Sequence, residues 1–249
     1  KGICHMIRKD ILLIGTTLLA VVGGAAMAQT STFALPSNCT AYLTVQMKSC
    51  TVSHHFTCAD DPQGHQRRVD LDETGMTYIG TIDAETQWIA SFHPMGGYNE
   101  SLADNPQDPA SLTELLATGL DTFDFRTNSP EVGQFHFIGQ DRLTGNQVVI
   151  DGVTLDETEY SSRALDGTGT EMWRSAGREF VSRDWRMFLS GKSTYSTSEE
   201  SWESDDSPVE FIFPGETGFL SANPKFGCGA VISQLLPLPQ DKETNHDHL

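Results

Sequence analysis

Beyond residue 39, apolar and polar side chains alternate in run after run, with short stretches rich in Gly, Asp, Asn and Thr between them. A period of two places successive side chains on opposite faces of a β-strand. Ala41 to Met47 (AYLTVQM), Gln66 to Leu71, Met76 to Ile82 (MTYIGTI) and Gln87 to Phe92 (QWIASF) read as strands. Asp72 to Gly75 and Asp83 to Thr86 are the polar turns among them, the signature of hairpins. Trp88, Ala90 and Phe92 fall on one face, and Ile89, Ser91 and His93 on the other. The same text resumes in Thr122 to Arg126 (TFDFR), Gln134 to Gly139 (QFHFIG), Gln147 to Leu155 (QVVIDGVTL) and Thr158 to Leu165. Asp141 to Gly145 and Asp166 to Gly169 read as turns, and Glu171 to Arg174, Arg178 to Ser190 and Val209 to Phe213 complete the set.

Two stretches interrupt the strands. Residues 94–109 (PMGGYNESLADNPQDP) are broken by Pro, Gly and Asn, and a helix follows. Asp108 with Pro109 suits its start, and Ser111 with Glu114 has capping-box spacing as an alternative. Leu112, Leu115 and Leu116 share its apolar face, and Gly119 can end it. Ser190 to Ser207, with seven serines and five acids in eighteen residues, reads as a mobile loop.

Phe180 to Leu189 (FVSRDWRMFL) reads as one strand with two unlike faces. Val181, Arg183, Trp185, Met187 and Leu189 form a core face. Phe180, Ser182, Asp184, Arg186 and Phe188 form a mixed face that suits a cleft wall, or a solvent face with Arg stems lying over the rings. Phe180, Arg186 and Phe188, with the isolated Trp202, are therefore candidate ligand contacts. Short Gly-bearing links favour an antiparallel meander over crossovers. The expected fold is mainly β: a barrel or half-barrel of eight to ten strands with one short helix, over residues 39–236. Residues 29–38 read as a linker and 237–249 as a flexible tail.

The chain before residue 29 carries a different pattern. Arg8 and Lys9 precede the apolar run Ile11 to Val22, and Ala26-Met27-Ala28 follows it. Basic residues, a short apolar run and an A-x-A site, in that order, predict a secretory signal peptide from Met6, cleaved after Ala28. Lys1 to His5 read as a cloning remnant. Twelve apolar residues are too few to span a bilayer, which takes about 20. A periplasmic or secreted chain without a membrane span is expected.

Export changes the reading of the cysteines. Cys39, Cys50, Cys58 and Cys228 remain after cleavage, and an even number in an oxidising compartment reads as two disulfides. The expected pairs are Cys50–Cys58, closing a short loop, and Cys39–Cys228. The same region offers an alternative, a metal module of Cys50, His54, His55 and Cys58, since thiolate and imidazole suit zinc or copper.

The whole chain has a formal charge of −18. Loss of residues 1–28 removes Lys1, Arg8, Lys9 and Asp10, leaving 13 basic and 33 acidic residues. Such a surface repels phosphate backbones and anionic lipid headgroups, so nucleic acid is excluded as a partner and a monomer is expected. HExxH, GxSxG and GxGxxG are absent, and Gly191-Lys192-Ser193 lacks the first glycine of a P-loop. No cofactor is expected. In outline alone, a curved antiparallel sheet with one helix resembles lipocalins and periplasmic lipid carriers. The leading expectation is a non-enzymatic exported binding or accessory protein, its partner a small apolar ligand, a lipid or another envelope protein. The alternatives are the metal module and an exported hydrolase with carboxylates and His93 or His136 in a cleft.

Overall fold

The computed structural model describes residues 31–229. The expected signal peptide and the tail 237–249 lie outside the described residues. The first six strands are β1 (Cys39–Met47), β2 (Val52–Cys58), β3 (Gln66–Asp72), β4 (Gly75–Ile82), β5 (Trp88–His93) and β6 (Tyr98–Leu102). The helix α1 (Leu112–Thr118) leads to β7 (Leu120–Ser129), β8 (Gly133–Ile150), β9 (Val153–Leu165) and β10 (Glu171–Ser182). Then come β11 (Met187–Leu189), β12 (Lys192–Ser196), β13 (Ser201–Asp205) and β14 (Pro208–Ile212).

All belong to one antiparallel sheet in the order β13-β12-β10-β9-β8-β7-β6-β5-β4-β3-β2-β1-β14, with β11 paired to β10. The sheet is not closed, so the expected mainly β half-barrel with one short helix is the fold. It nevertheless curls far enough for strands distant in that order to touch. Leu43 and Val45 of β1 pack with Leu155 of β9, Met187 and Leu189 of β11 and Phe211 of β14. Irregularities in β1 near Ala41, at Thr81 and beyond Leu143 concentrate the bend.

There are more strands than the eight to ten expected, for local reasons. QVVIDGVTL is not one strand. Asp151 (φ 47) and Gly152 (φ 80) are both left-handed, the turn that matches the twist of a hairpin, and β8 reverses into β9 there. Asp141 to Gly145, expected as a turn, is instead carried within β8. The expected strand Phe180 to Leu189 also breaks: Arg186 (φ 47) closes a turn, and β11 folds back on β10 with Val181 opposite Phe188. The serine-rich stretch 190–207 is a hairpin, β12 and β13, with Tyr195 opposite Trp202. Composition favours a loop there, but the ladder to β10 and the ring pair decide. Within 94–109, Tyr98–Leu102 pairs with β5.

Helix α1 starts at the second of the two expected caps. Ser111 Oγ accepts from the Glu114 amide at 3.2 Å, and Gly119 (φ 84) ends the helix. Asp108 instead pairs with Asp124 and accepts from Thr122 Oγ1. Leu112 and Leu115 bury against Val181, Leu143 and Phe188, which seats the helix over one end of the sheet.

The convex back of β1 to β4 carries a second core. Ala41, Val52, Phe56, Val69 and Leu71 are covered by Phe33 and Leu35 and by Phe219, Leu220 and Ala222, two segments that are hydrogen-bonded to each other. Residues 31–38, read as a linker, are thus part of the packing. Buried polar groups hold the covering chain: Thr44 Oγ1 accepts from the Leu220 amide, and Gln46 grips Asn223 and Lys225.

Both expected disulfides are re-paired. Cys39 and Cys58 face each other across the β1–β2 ladder, Cα atoms 3.9 Å apart, and are joined. Cys50 sits in the turn at the other end of β2 and is joined to Cys228. Eight residues of extended chain separate Cys50 from Cys58 by about 26 Å, far beyond what a disulfide spans.

Candidate functional site

Alternation sends a chosen set of side chains to the concave face. From β3 and β4 come Arg68, Tyr78 and Ile82. Trp88 comes from β5, Phe123 and Phe125 from β7 and Asp141 from β8, with Ser162, Trp173, Ser175, Glu179 and Tyr195 from β9, β10 and β12. They enclose a cavity of about 340 Å³, with Phe188 and Ala110 near the helix end. A second cavity of about 420 Å³ shares Arg68, Tyr78, Trp88, Trp173 and Tyr195 with the first, so the two adjoin and together make up the lumen of the curled sheet. Gly139 helps shape it, because a Cβ there would collide with the ring of Phe123.

One side of the lumen is aromatic. Trp202, Tyr195, Trp173 and Phe137 form a ladder across the sheet, with successive ring centroids 4.6, 5.1 and 6.1 Å apart. Trp88 stands edge-on to Phe137 and Phe125 at 5.0 and 5.5 Å. Trp88 is still 44 % exposed, a large apolar surface left uncovered beside the lumen.

The other side is charged and short of partners. Arg68 pairs with Asp70 at 3.1 Å and lies over the Tyr78 ring. A third of its side-chain surface is open (35 %), but protein surrounds the group and that surface borders the two cavities. Burial works against its charge, yet Asp70, Tyr78 and Glu179 hold its pKa above the usual arginine value. Burial, reinforced by Asp141 and opposed by the charge of Arg68, pushes Glu179 up to about 8. Burial, reinforced by Asp121, pushes Asp141 up to about 7. His55 is pushed down to about 3 by burial and by the positive charge of Arg68, and is neutral. Five buried side-chain polar atoms among the described residues have no partner, and three of them, Arg68 Nε, Ser162 Oγ and His55 Nε2, belong to cavity-lining residues. Buried polar groups ordinarily are paired, so these three ask for a ligand or water.

The candidate residues from the sequence fare differently. Phe188 lines the lumen. Phe180 packs beside the core at the β10–β11 hairpin. Arg186 donates to Ala84 O, Glu85 and Thr113, tying the β4–β5 turn to the helix start, and does not line the cavities. Trp202 stacks on Tyr195, a lumen residue, from the edge strand.

The metal module is not assembled. Cys50 and Cys58 are in separate disulfides, His54 faces the back against Phe33 and Thr44, and His55 faces the lumen. Adjacent strand residues point to opposite faces, which no Cys-His spacing reveals. Among the described residues only Cys50, Glu73 and Cys228 bring three ligand-bearing residues close together, and there the two sulfurs are bonded to each other.

Neither histidine expected for a hydrolase forms a relay. Ser91 Oγ and Glu100 both approach the same nitrogen of His93, at 3.0 and 3.3 Å. A relay needs one on each nitrogen. His136 bonds Asp124 and Arg126 on the opposite face of the sheet.

Sequence reasoning missed Arg68, Asp141 and Glu179. Asp141 and Glu179 stood in text read as a turn and as an ordinary strand. For Asp141, between Gly139 and Leu143, and Glu179, between Gly177 and Val181, the available signal was a charge between non-polar neighbours on the same face; Arg68, between Gln66 and Asp70, carried no such signal. The chain matches no protein-family model, no curated protein and no solved structure. The two disulfides, with no described helix long and apolar enough to cross a membrane, are compatible with export.

Proposed function

We propose that this is an exported, non-enzymatic binding protein that holds one small amphipathic molecule inside the curled sheet. The observation that carries this reading is the lumen itself, aromatic on one side and lined by unpaired polar atoms on the other. Ligand sites are concave and mostly apolar with a few placed polar groups. The polar side modifies the expected apolar ligand or lipid: a purely apolar molecule would leave Arg68, Ser162 and His55 unsatisfied.

The test is fluorescence of the neutral probe N-phenyl-1-naphthylamine with the purified, oxidised chain. Saturable enhancement is expected, and Ser162→Phe, which fills the lumen, should abolish it while the melting temperature holds. A probe that stays dark with the wild-type chain, or binds equally to the filled variant, ends this reading.

A hydrolase is the second reading, favoured by one observation: Asp141 and Glu179 are neighbouring lumen carboxyls that burial pushes up to about 7 and about 8, the range that suits a general acid. Turnover of an aryl ester, glycoside or phosphate that disappears in Glu179→Gln would establish it. No turnover sets it aside.

A further inference from the structure

We propose that the molecule held in the lumen carries an organic cation, an amine or guanidine group, which lies against Asp141 and Glu179 with aromatic rings beside it. This rests on the binding reading above and names the chemistry of its ligand.

The argument begins with a charge balance over every element facing the site. From β3, Arg67 is bound twice by Asp61, and Arg68 is paired with Asp70. From β2, His55 is neutral. Tyr78, Tyr160 and Tyr195, from β4, β9 and β12, keep their protons, since burial raises all three. His93 and Glu100, in the adjoining cavity, face each other. From β7, Asp121 lies near Asp141 and accepts from the Ser111 amide. What is left is Asp141 and Glu179, which make no ion pair and no side-chain hydrogen bond among the described residues; the already paired Arg68 is the one cation whose charge reaches Glu179. An enclosed carboxylate without a partner is costly, and a cation supplied by a ligand removes that cost.

Three further features select an organic cation. No third His, Cys, Asp or Glu among the described residues joins the two carboxyls closely enough to hold a metal ion. Trp88, Trp173 and Tyr195 border both cavities, and ring faces attract ammonium and guanidinium groups. His55 is only 5 % exposed and its Nε2 is unpartnered, so in the tautomer protonated on Nδ1 it accepts an N–H of the same group. An anionic head would find Arg68 already paired and two acids beside it.

The test uses three probes with one apolar body: 4-phenylbutylamine, 4-phenylbutan-1-ol and 4-phenylbutanoate. Each displaces N-phenyl-1-naphthylamine from the full oxidised chain at pH 8.5. The amine should bind at least tenfold tighter than the alcohol, with the acid weakest. Its advantage should shrink at least tenfold between pH 8.5 and 6, as protons reoccupy Glu179 and Asp141, while the alcohol stays level. Glu179→Gln should erase most of the advantage without weakening the alcohol. Equal binding of amine and alcohol, or preference for the acid, overturns the cation while the neutral probe still reports a working lumen. The pH series on the wild-type chain decides the matter even where the variant fails to fold. A neutral probe that never binds removes the binding reading, and this inference with it.

Discussion

The back and the front of the curled sheet are built from the same alternating text and end in opposite states. On the back of β1 to β4, chain segments from both ends lie over Val52, Phe56 and Val69, and a disulfide fastens one of them at Cys50. Most polar groups there have partners: Thr44 and Gln46 bind the covering backbone directly, and His54 Nε2 is the one buried side-chain atom among the described residues of that face left over. On the front nothing fills the space between Arg68, Trp88, Asp141 and Glu179, and polar atoms are left over. One face is covered by the chain itself; the other keeps an open lumen, and it is there that the proposed function places its ligand.

The contrast can be broken most forcefully at the back. Cys50→Ser with Cys228→Ser frees a loop of 178 residues, and the chain-entropy model gives a loss of about 5 kcal/mol. Denaturant unfolding should show that loss. A loss no larger than that of Cys39→Ser with Cys58→Ser, whose 19-residue loop is worth about 3 kcal/mol, would show that the covering segment is held by its other contacts.

Next in size is a paired truncation. Phe56→Ala, at a site 3 % exposed, should cost about 3–5 kcal/mol and leave probe binding alone. Trp88→Ala, half open beside the lumen, loses two edge-on ring contacts at about 0.5–1.5 kcal/mol each, so it should cost less than Phe56→Ala and weaken the probe strongly. The opposite pattern would mean that the lumen is a core and the back a surface.

The pH response should show both regions at once. His54 and His55 are pushed down by burial from 6.5 to about 4 and about 3. The stability tied to their neutral forms is complete above pH 6.5 and is lost as the pH falls through those values. Asp141 and Glu179 are pushed up to about 7 and about 8. Their contribution is complete below the usual carboxylate range and is lost as the pH rises through 7 and 8. Thermal melts from pH 3 to 9 should therefore peak in the mildly acidic range. Glu179→Gln should flatten the alkaline side alone; an unchanged slope there would show that Glu179 is not the group responsible.

Smallest of all is Trp202→Ala. Its stacking on Tyr195 is worth about 0.5–1.5 kcal/mol, and because Trp202 borders neither cavity, probe affinity should hold within a factor of two. A larger loss would extend the lumen to the edge strand.

Local physics was legible in the residues themselves. The turns at Asp83 to Thr86 and Asp166 to Gly169, the Ser111 and Gly119 caps and the β-strand period are interactions within a few residues, so short words of sequence determine them. Some local signals were present and outweighed in the reading, such as Asp151-Gly152, which sat inside a convincing apolar run. The disulfide partners, the sides taken by His54 and His55, and the meeting of Asp141 with Glu179 across β9 were decided by tertiary structure. Alternation sorts side chains into two faces but does not say which face curls inward or which the chain covers. That depends on bulges, on register, and on segments nearly two hundred residues apart coming together, as Cys50 and Cys228 do.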